Sequence, residues 1–216
     1  MRVAPLTGLL AVALTVVAFL LYGDTPDVDA AGAEVASYYD DHRAQTAVSL
    51  YLLVLASVFF VLFAAHLARV VRAVPGGGDW LHRAVAAGGV LIAVGFLVGA
   101  SLSLALLDLS DKDSAAEASL QALNALSEDF FIPFVGGMGL MLLAAGLATV
   151  RAEAAPWPRW LSWTAVALGV LVFVPWVGFF AFMLAGLWVA AVSVLLARRP
   201  SGAPASSPGP APEGTS

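Results

Sequence analysis

Two short acidic clusters are the first places in this sequence where side chains of metal-binding type stand together. Asp40, Asp41 and His42 are consecutive, and Glu128 and Asp129 form a second pair. Carboxylates and an imidazole can bind a divalent cation. The two clusters would make one site if the chain brought them side by side. Their spacing matches no established ligand motif, and acidic pairs are equally what a solvated loop contains. His66 is the third candidate, because it lies inside an apolar run. There an imidazole can ligate haem, carry a proton or hydrogen-bond a neighbouring helix. Haem held by two histidines needs a second one at the same depth. His82 falls at the border of an apolar run and His42 outside one, so the hydrogen-bonded reading is preferred.

Other chemistries are excluded more firmly. The chain has no cysteine, which removes zinc–thiolate sites, iron–sulfur clusters, disulfides and thiol catalysis. There is no H-E-x-x-H, G-x-S-x-G or P-loop pattern. No cofactor is expected, and the balance favours a non-enzymatic protein. The net charge of −5 argues against nucleic acid as a partner.

The elements that must position these residues are apolar. Of 216 residues, 61% are hydrophobic and 12% charged. A soluble domain has about 45–50% apolar and about 25% charged residues, and a core of this size cannot hide the excess. A bilayer can. Residues 47–68 run without Asp, Glu, Lys or Arg. As a helix they would be about 33 Å long, against a hydrocarbon core of about 30 Å. Similar runs give spans at about 3–22, 84–107, 130–150, 160–175 and 178–197. The last two come from one apolar stretch of 38 residues, 160–197, divided at Val174-Pro-Trp-Val-Gly178. Five spans with a re-entrant segment is the alternative division. A cleaved signal peptide is the rival reading of the first run. That run is longer than the usual 7–15 residues or so, and Ala31-Gly32-Ala33, the nearest small-x-small site, lies beyond three aspartates. A retained helix is expected.

The expected fold is therefore an all-α membrane protein. Six transmembrane helices form three antiparallel hairpins, with short amphipathic helices in the two outer loops. In the first loop, Asp24-Thr25-Pro26-Asp27 signals a turn, and Tyr38 and Tyr39 suit a headgroup region. In the second, Ser114-Ala-Ala-Glu117 matches a capping box, and Leu120, Leu123, Leu126 and Phe130 fall on one helix face. Residues 200–216, rich in Pro, Ser, Ala and Gly, are expected to be a disordered cytoplasmic tail.

Alternating the connections puts Arg2, Arg69, Arg72, Arg83, Arg151, Arg159, Arg198 and Arg199 on one side and Arg43 and Lys112 on the other. The positive-inside rule makes the first side, with both termini, cytoplasmic. The outer segments then hold twelve acids against two bases, the inside eight bases against Asp79, Glu153 and Glu213. A multi-pass protein of the bacterial plasma membrane is expected. Gly95, Gly99 and Ser103 recur every four residues. Such a stripe lets a helix approach closely, either within the chain or from a membrane partner or second copy. No charged residue lies in the middle of a span, which argues against ion-coupled transport. Pro133 and Pro175 could instead mark helix breaks of the kind transporters use. The tryptophans Trp157, Trp160, Trp163, Trp176 and Trp188 read as interfacial anchors and packing residues.

Four stretches carry a resemblance: Gly-Asp-Thr-Pro-Asp (23–27), Val-Ala-Ser-Tyr-Tyr-Asp-Asp-His-Arg (35–43), Ala-Leu-Asn-Ala-Leu-Ser-Glu-Asp-Phe-Phe-Ile-Pro-Phe (122–134), and Pro-Arg-Trp-Leu-Ser-Trp (158–163). With the first span beginning Ala-Pro-Leu-Thr-Gly-Leu-Leu (4–10), residues 1–199 resemble a family of small, uncharacterised six-span membrane proteins of actinobacteria. The resemblance implies the fold and no activity or residue role. The readings that follow are a membrane protein that binds a partner, lipid or small ligand; a small-solute transporter or channel; and a haem or metal enzyme of the membrane.

Overall fold

The computed structural model describes residues 3–76, 80–111, 116–129 and 131–198. Among them every regular element is a helix: α1 (Val3–Tyr22), α2 (Gly32–Asp41), α3 (Arg43–Arg72), α4 (Leu81–Ser110), α5 (Glu117–Asp129), α6 (Ile132–Val150), α7 (Arg159–Leu171) and α8 (Gly178–Arg198). The expected tail, Arg2, Arg199, Lys112 and the first two residues of the capping box lie outside the described residues.

Helices α3 and α4 each run 30 residues, further than their apolar stretches require. No breaker interrupts α3 before Val74-Pro75-Gly76, so its polar ends continue the helix past the oily segment. Both are about 45 Å long and overreach a hydrocarbon core at one or both ends. Pro133 sits in the first turn of α6, where a missing N–H breaks no intrahelical bond. It marks a helix start rather than a break. The expected span at 160–175 takes the form of the 13-residue α7 and a non-helical turn over 172–177. Five stretches of helix are long and apolar enough to cross a membrane: Ala4–Tyr22, Arg43–Arg72, Leu81–Ser110, Glu117–Val150 with α5 and α6 taken together, and Gly178–Arg198.

The six longer-range helices pack in chain order, and α1 closes on α8, so α1, α3, α4, α6, α7 and α8 form a ring. Neighbours run antiparallel. Gly89 of α4 faces Ala64 of α3 while Phe96 lies against Phe60. Gly88 faces Met141 of α6 while Gly95 faces Phe134. Gly146 of α6 faces Ser162 of α7 while Gly139 faces Gly169. The ring therefore has an arginine end, holding Arg69, Arg72, Arg83, Arg151, Arg159 and Arg198, and an acidic end, where α2 and α5 pack on α3 and α4. Its interior is filled by rings. Phe60, Phe96, Phe134 and Phe182 make a chain of centroid contacts at 6.2, 4.8 and 6.0 Å that crosses from α3 to α8.

The outward faces stay apolar: Leu20, Val58, Leu62, Leu104, Leu147 and Leu187 are at least half exposed. A water-soluble monomer rarely carries so wide an oily surface, and the bundle is compatible with an integral membrane protein. The glycine stripe is turned inward: Gly95, Gly99 and Ser103 are buried within the chain. A Cβ on Gly95 would meet the Phe134 ring at 3.0 Å.

Helices α4 and α6 approach closely through glycine. A Cβ on Gly88 would lie 2.6 Å from the Gly137 carbonyl and 2.7 Å from the Met141 nitrogen. Both obstacles are backbone. Gly88→Ala must push the helices apart and should cost about 1–3 kcal/mol. Gly136→Ala on the same helix pair has open space around its Cβ and should be neutral or stabilising by up to about 1 kcal/mol. Thermal unfolding in detergent checks both; equal midpoints for the two variants would contradict this packing.

Candidate functional site

The acidic end carries most of the residues that the sequence singles out. Helix α2 buries Val35 and Tyr39, and α5 buries Leu120, against Leu50 of α3 and Ala100, Leu106 and Leu107 of α4. These two helices are thus a cap folded over the bundle. A Cβ on Gly32 would come 2.4 Å from the Glu117 carbonyl, so α2 and the start of α5 touch backbone to backbone. The apolar face of α5 is narrower than its sequence suggests. Leu123 is half-buried, while Leu126 is exposed; Phe130 lies outside the described residues.

Hydrogen bonds tie the cap down. Tyr22, at the end of α1, places its hydroxyl 2.6 Å from Ser103 Oγ of α4 and 3.2 Å from the Tyr39 hydroxyl of α2. Tyr39 is 0% exposed, so it is a core residue of the cap and not a headgroup anchor. The apolar ring fills the space between α2 and α4, and its hydroxyl finds a partner there instead of in water. The Tyr38 hydroxyl donates to the Tyr22 carbonyl at 2.9 Å. Asn124 of α5 is 0% exposed and donates through Nδ2 to the Asp27 carbonyl at 2.9 Å, fastening α5 to the loop before α2. Arg43 pairs with Asp111 at 3.3 Å and donates to the Leu107 carbonyl at 3.4 Å. That carbonyl lies in the last turn of α4, where a cation is favoured, and it also accepts from the Ser110 hydroxyl at 3.0 Å.

The first acidic cluster straddles the α2–α3 junction. Asp40 and Asp41 are exposed, and His42 stacks on Tyr38 with ring centroids 4.4 Å apart. The His42 Nδ1–H donates to the Tyr38 carbonyl at 2.9 Å, which leaves Nε2 as its remaining nitrogen. The side chains of Glu128 and Asp129 lie outside the described residues. Among the described residues no group of three His, Asp or Glu side chains is close enough to hold a metal ion. At the other end His66 accepts from Arg69 at 3.3 Å. His82 lies at the opposite helix of that hairpin, seven residues before the Gly89 that faces Ala64. That places it nearer the arginine end than His66.

A second polar knot was not foreseen. At the arginine end Trp157 donates to Ser162 Oγ at 3.0 Å, the Ser162 and Thr149 hydroxyls are 2.8 Å apart, and Trp188 donates to the Leu161 carbonyl at 2.9 Å. All four side chains are buried. Trp157 and Trp188 are therefore packing residues, while Trp160, Trp163 and Trp176 are exposed. The signal that could have found both knots is the presence of Ser103, Thr149 and Ser162 within or beside apolar runs, where a hydroxyl needs a partner from the next helix. No family model, no curated relative and no solved structure matches this chain.

Burial, then the neighbouring Tyr22 and Asp24, holds the Tyr38 phenol above its usual value of 10.0. A phenol whose folded value is raised gives stability that is present below pH 10 or so and lost as pH climbs through the folded value. Hydrogen exchange of the α2 amides, relative to its intrinsic pH dependence, should therefore quicken as pH rises above about 10. Tyr38→Phe should flatten that rise; an unchanged slope in the variant would show that Tyr38 plays no part in it.

Proposed function

We propose that this chain is a six-span protein of a bacterial plasma membrane, with its arginine end in the cytoplasm and its acidic cap outside, and that it works by binding rather than catalysis. The observation that carries this reading is the latched cap. Asp24, Asp29, Glu34, Asp40, Asp41 and Asp108 are all exposed on the cap and the chain beside it, while Arg43, the described basic residue at that end, is engaged with Asp111. A negative surface held rigid by Tyr22, Tyr39, Ser103 and Asn124 is preorganised for a cationic partner, so little ordering cost falls due on binding. The packed interior supports binding over transport. The phenylalanine chain occupies the space where a solute path would run, and Pro133 stands in the first turn of α6 and Pro175 in the turn between α7 and α8.

The absence of native cysteine makes the threading simple to test. Asp29→Cys should react with a membrane-impermeant maleimide on intact cells, and Glu153→Cys only after permeabilisation. The reverse pattern would overturn the orientation. In reconstituted vesicles a short oligolysine probe should bind with salt-sensitive affinity, weakened about tenfold when Asp24, Asp29, Asp40 and Asp41 are changed to Asn. Equal binding by the variant would remove the cap as the docking face.

A further inference from the structure

The α7–α8 turn differs from the other connections at the acidic end. Those carry carboxylates; residues 172–177 read Val-Phe-Val-Pro-Trp-Val, and no charged residue stands between Arg159 and Arg198. Phe173, Val174, Trp176 and Val177 are all exposed. The hairpin is also short. From Arg159 to Pro175 is 16 residues, about 24 Å as a helix, against a hydrocarbon core of about 30 Å. Its neighbour gives the same result. The Phe173 ring lies against Gly139, and α6 continues seven residues beyond that point to Ile132, about 10 Å farther. The turn thus ends short of the α6 terminus, while the cap is packed on α3 and α4.

Trp176 is the one described residue other than glycine with a positive φ, at 67°. Glycine adopts that conformation freely, whereas a bulky residue is strained there. Two backbone bonds hold the turn, from the Val177 N–H to the Pro175 carbonyl and from the Gly178 N–H to the Val174 carbonyl, both at 2.8 Å. Trp176 itself is 93% exposed, so its indole is presented to the surroundings and not packed on the chain. An indole with an apolar face and one N–H donor suits the lipid interface.

We propose that this turn is a phospholipid contact site: it stays within the leaflet on the acidic side, Trp176 sits among the headgroups, and the bilayer thins locally over the short hairpin. The proposal rests on the membrane reading above. The test uses the full chain in phosphatidylcholine vesicles, spin-labelled at single cysteines and read by oxygen and nickel-chelate accessibility. Val58→Cys reports the exposed middle of α3 and Val28→Cys the exposed loop before α2. Labels at Val174→Cys and Val177→Cys should read between these two, on the oxygen-favoured side. Readings at 174 and 177 equal to that at 28 would place the turn in water and overturn the proposal alone. A nickel-favoured reading at 58 would overturn the membrane reading and the proposal with it. For the indole itself, headgroup-proximal brominated lipid should quench the Trp176 emission, obtained by difference from Trp176→Phe, more than deep-brominated lipid does; no quenching by either overturns it.

Discussion

Buried polar side chains in this protein turn to one another or to the backbone, and among the described residues Asn124 Oδ1, in the cap, is the buried side-chain atom left without a partner. In hydrocarbon, where the proposed membrane reading places the spans, a backbone or hydroxyl group without a partner costs several kcal/mol, because no water is at hand to repair the loss. Each helix meets this for its own backbone. The side chains that interrupt the oily faces follow the same rule: Ser49 donates to the Ala18 carbonyl at 2.8 Å, Ser193 to Val189 at 2.7 Å, and Thr149 to Ala145 at 2.7 Å. The two knots, one at each end, extend it between helices. Tyr22, Ser103 and Tyr39 join α1, α4 and α2, and Trp157, Ser162 and Thr149 join the loop before α7, α7 and α6.

Close packing supplies the rest. Lipid tails are as apolar as leucine, so burying a leucine between helices gains little over leaving it in the bilayer. Dispersion contacts at short range gain more, and small residues permit them. Gly88 and Gly137 let α4 and α6 meet backbone to backbone, and Gly139 and Gly169 do the same for α6 and α7. Between these seams the phenylalanine chain fills the middle of the ring. The cap is organised on different terms. It lies beyond the apolar spans, and Val35, Tyr39 and Leu120 are buried there as they would be in a small soluble core.

The spans were legible because a bilayer demands long runs free of charge, and such runs stand out at 3–22, 47–68, 84–107 and 178–197. Their ends were less so. Arg43 and Arg72 are polar, yet nothing stops a helix from including them. The stretch 160–197 was hardest, because composition says only that it is oily; the break at Val174-Pro-Trp-Val-Gly178 was visible, but not that α7 would end at Leu171. The amphipathic helices of the two acidic segments could be read, yet not their contact with each other, which depends on Gly32 meeting Glu117. The candidate acidic cluster was legible only as composition. His42 turned out to be committed to Tyr38, four residues back in its own chain, and a period of that length carries no sign of it.

All of this depends on oil surrounding the six-helix ring. The most direct measurement is fractionation of cells expressing the full chain, followed by an alkaline carbonate wash of the membranes and then detergent. The protein should remain in the washed pellet and enter solution only with detergent. Recovery in the aqueous supernatant, before any detergent is added, would contradict the account.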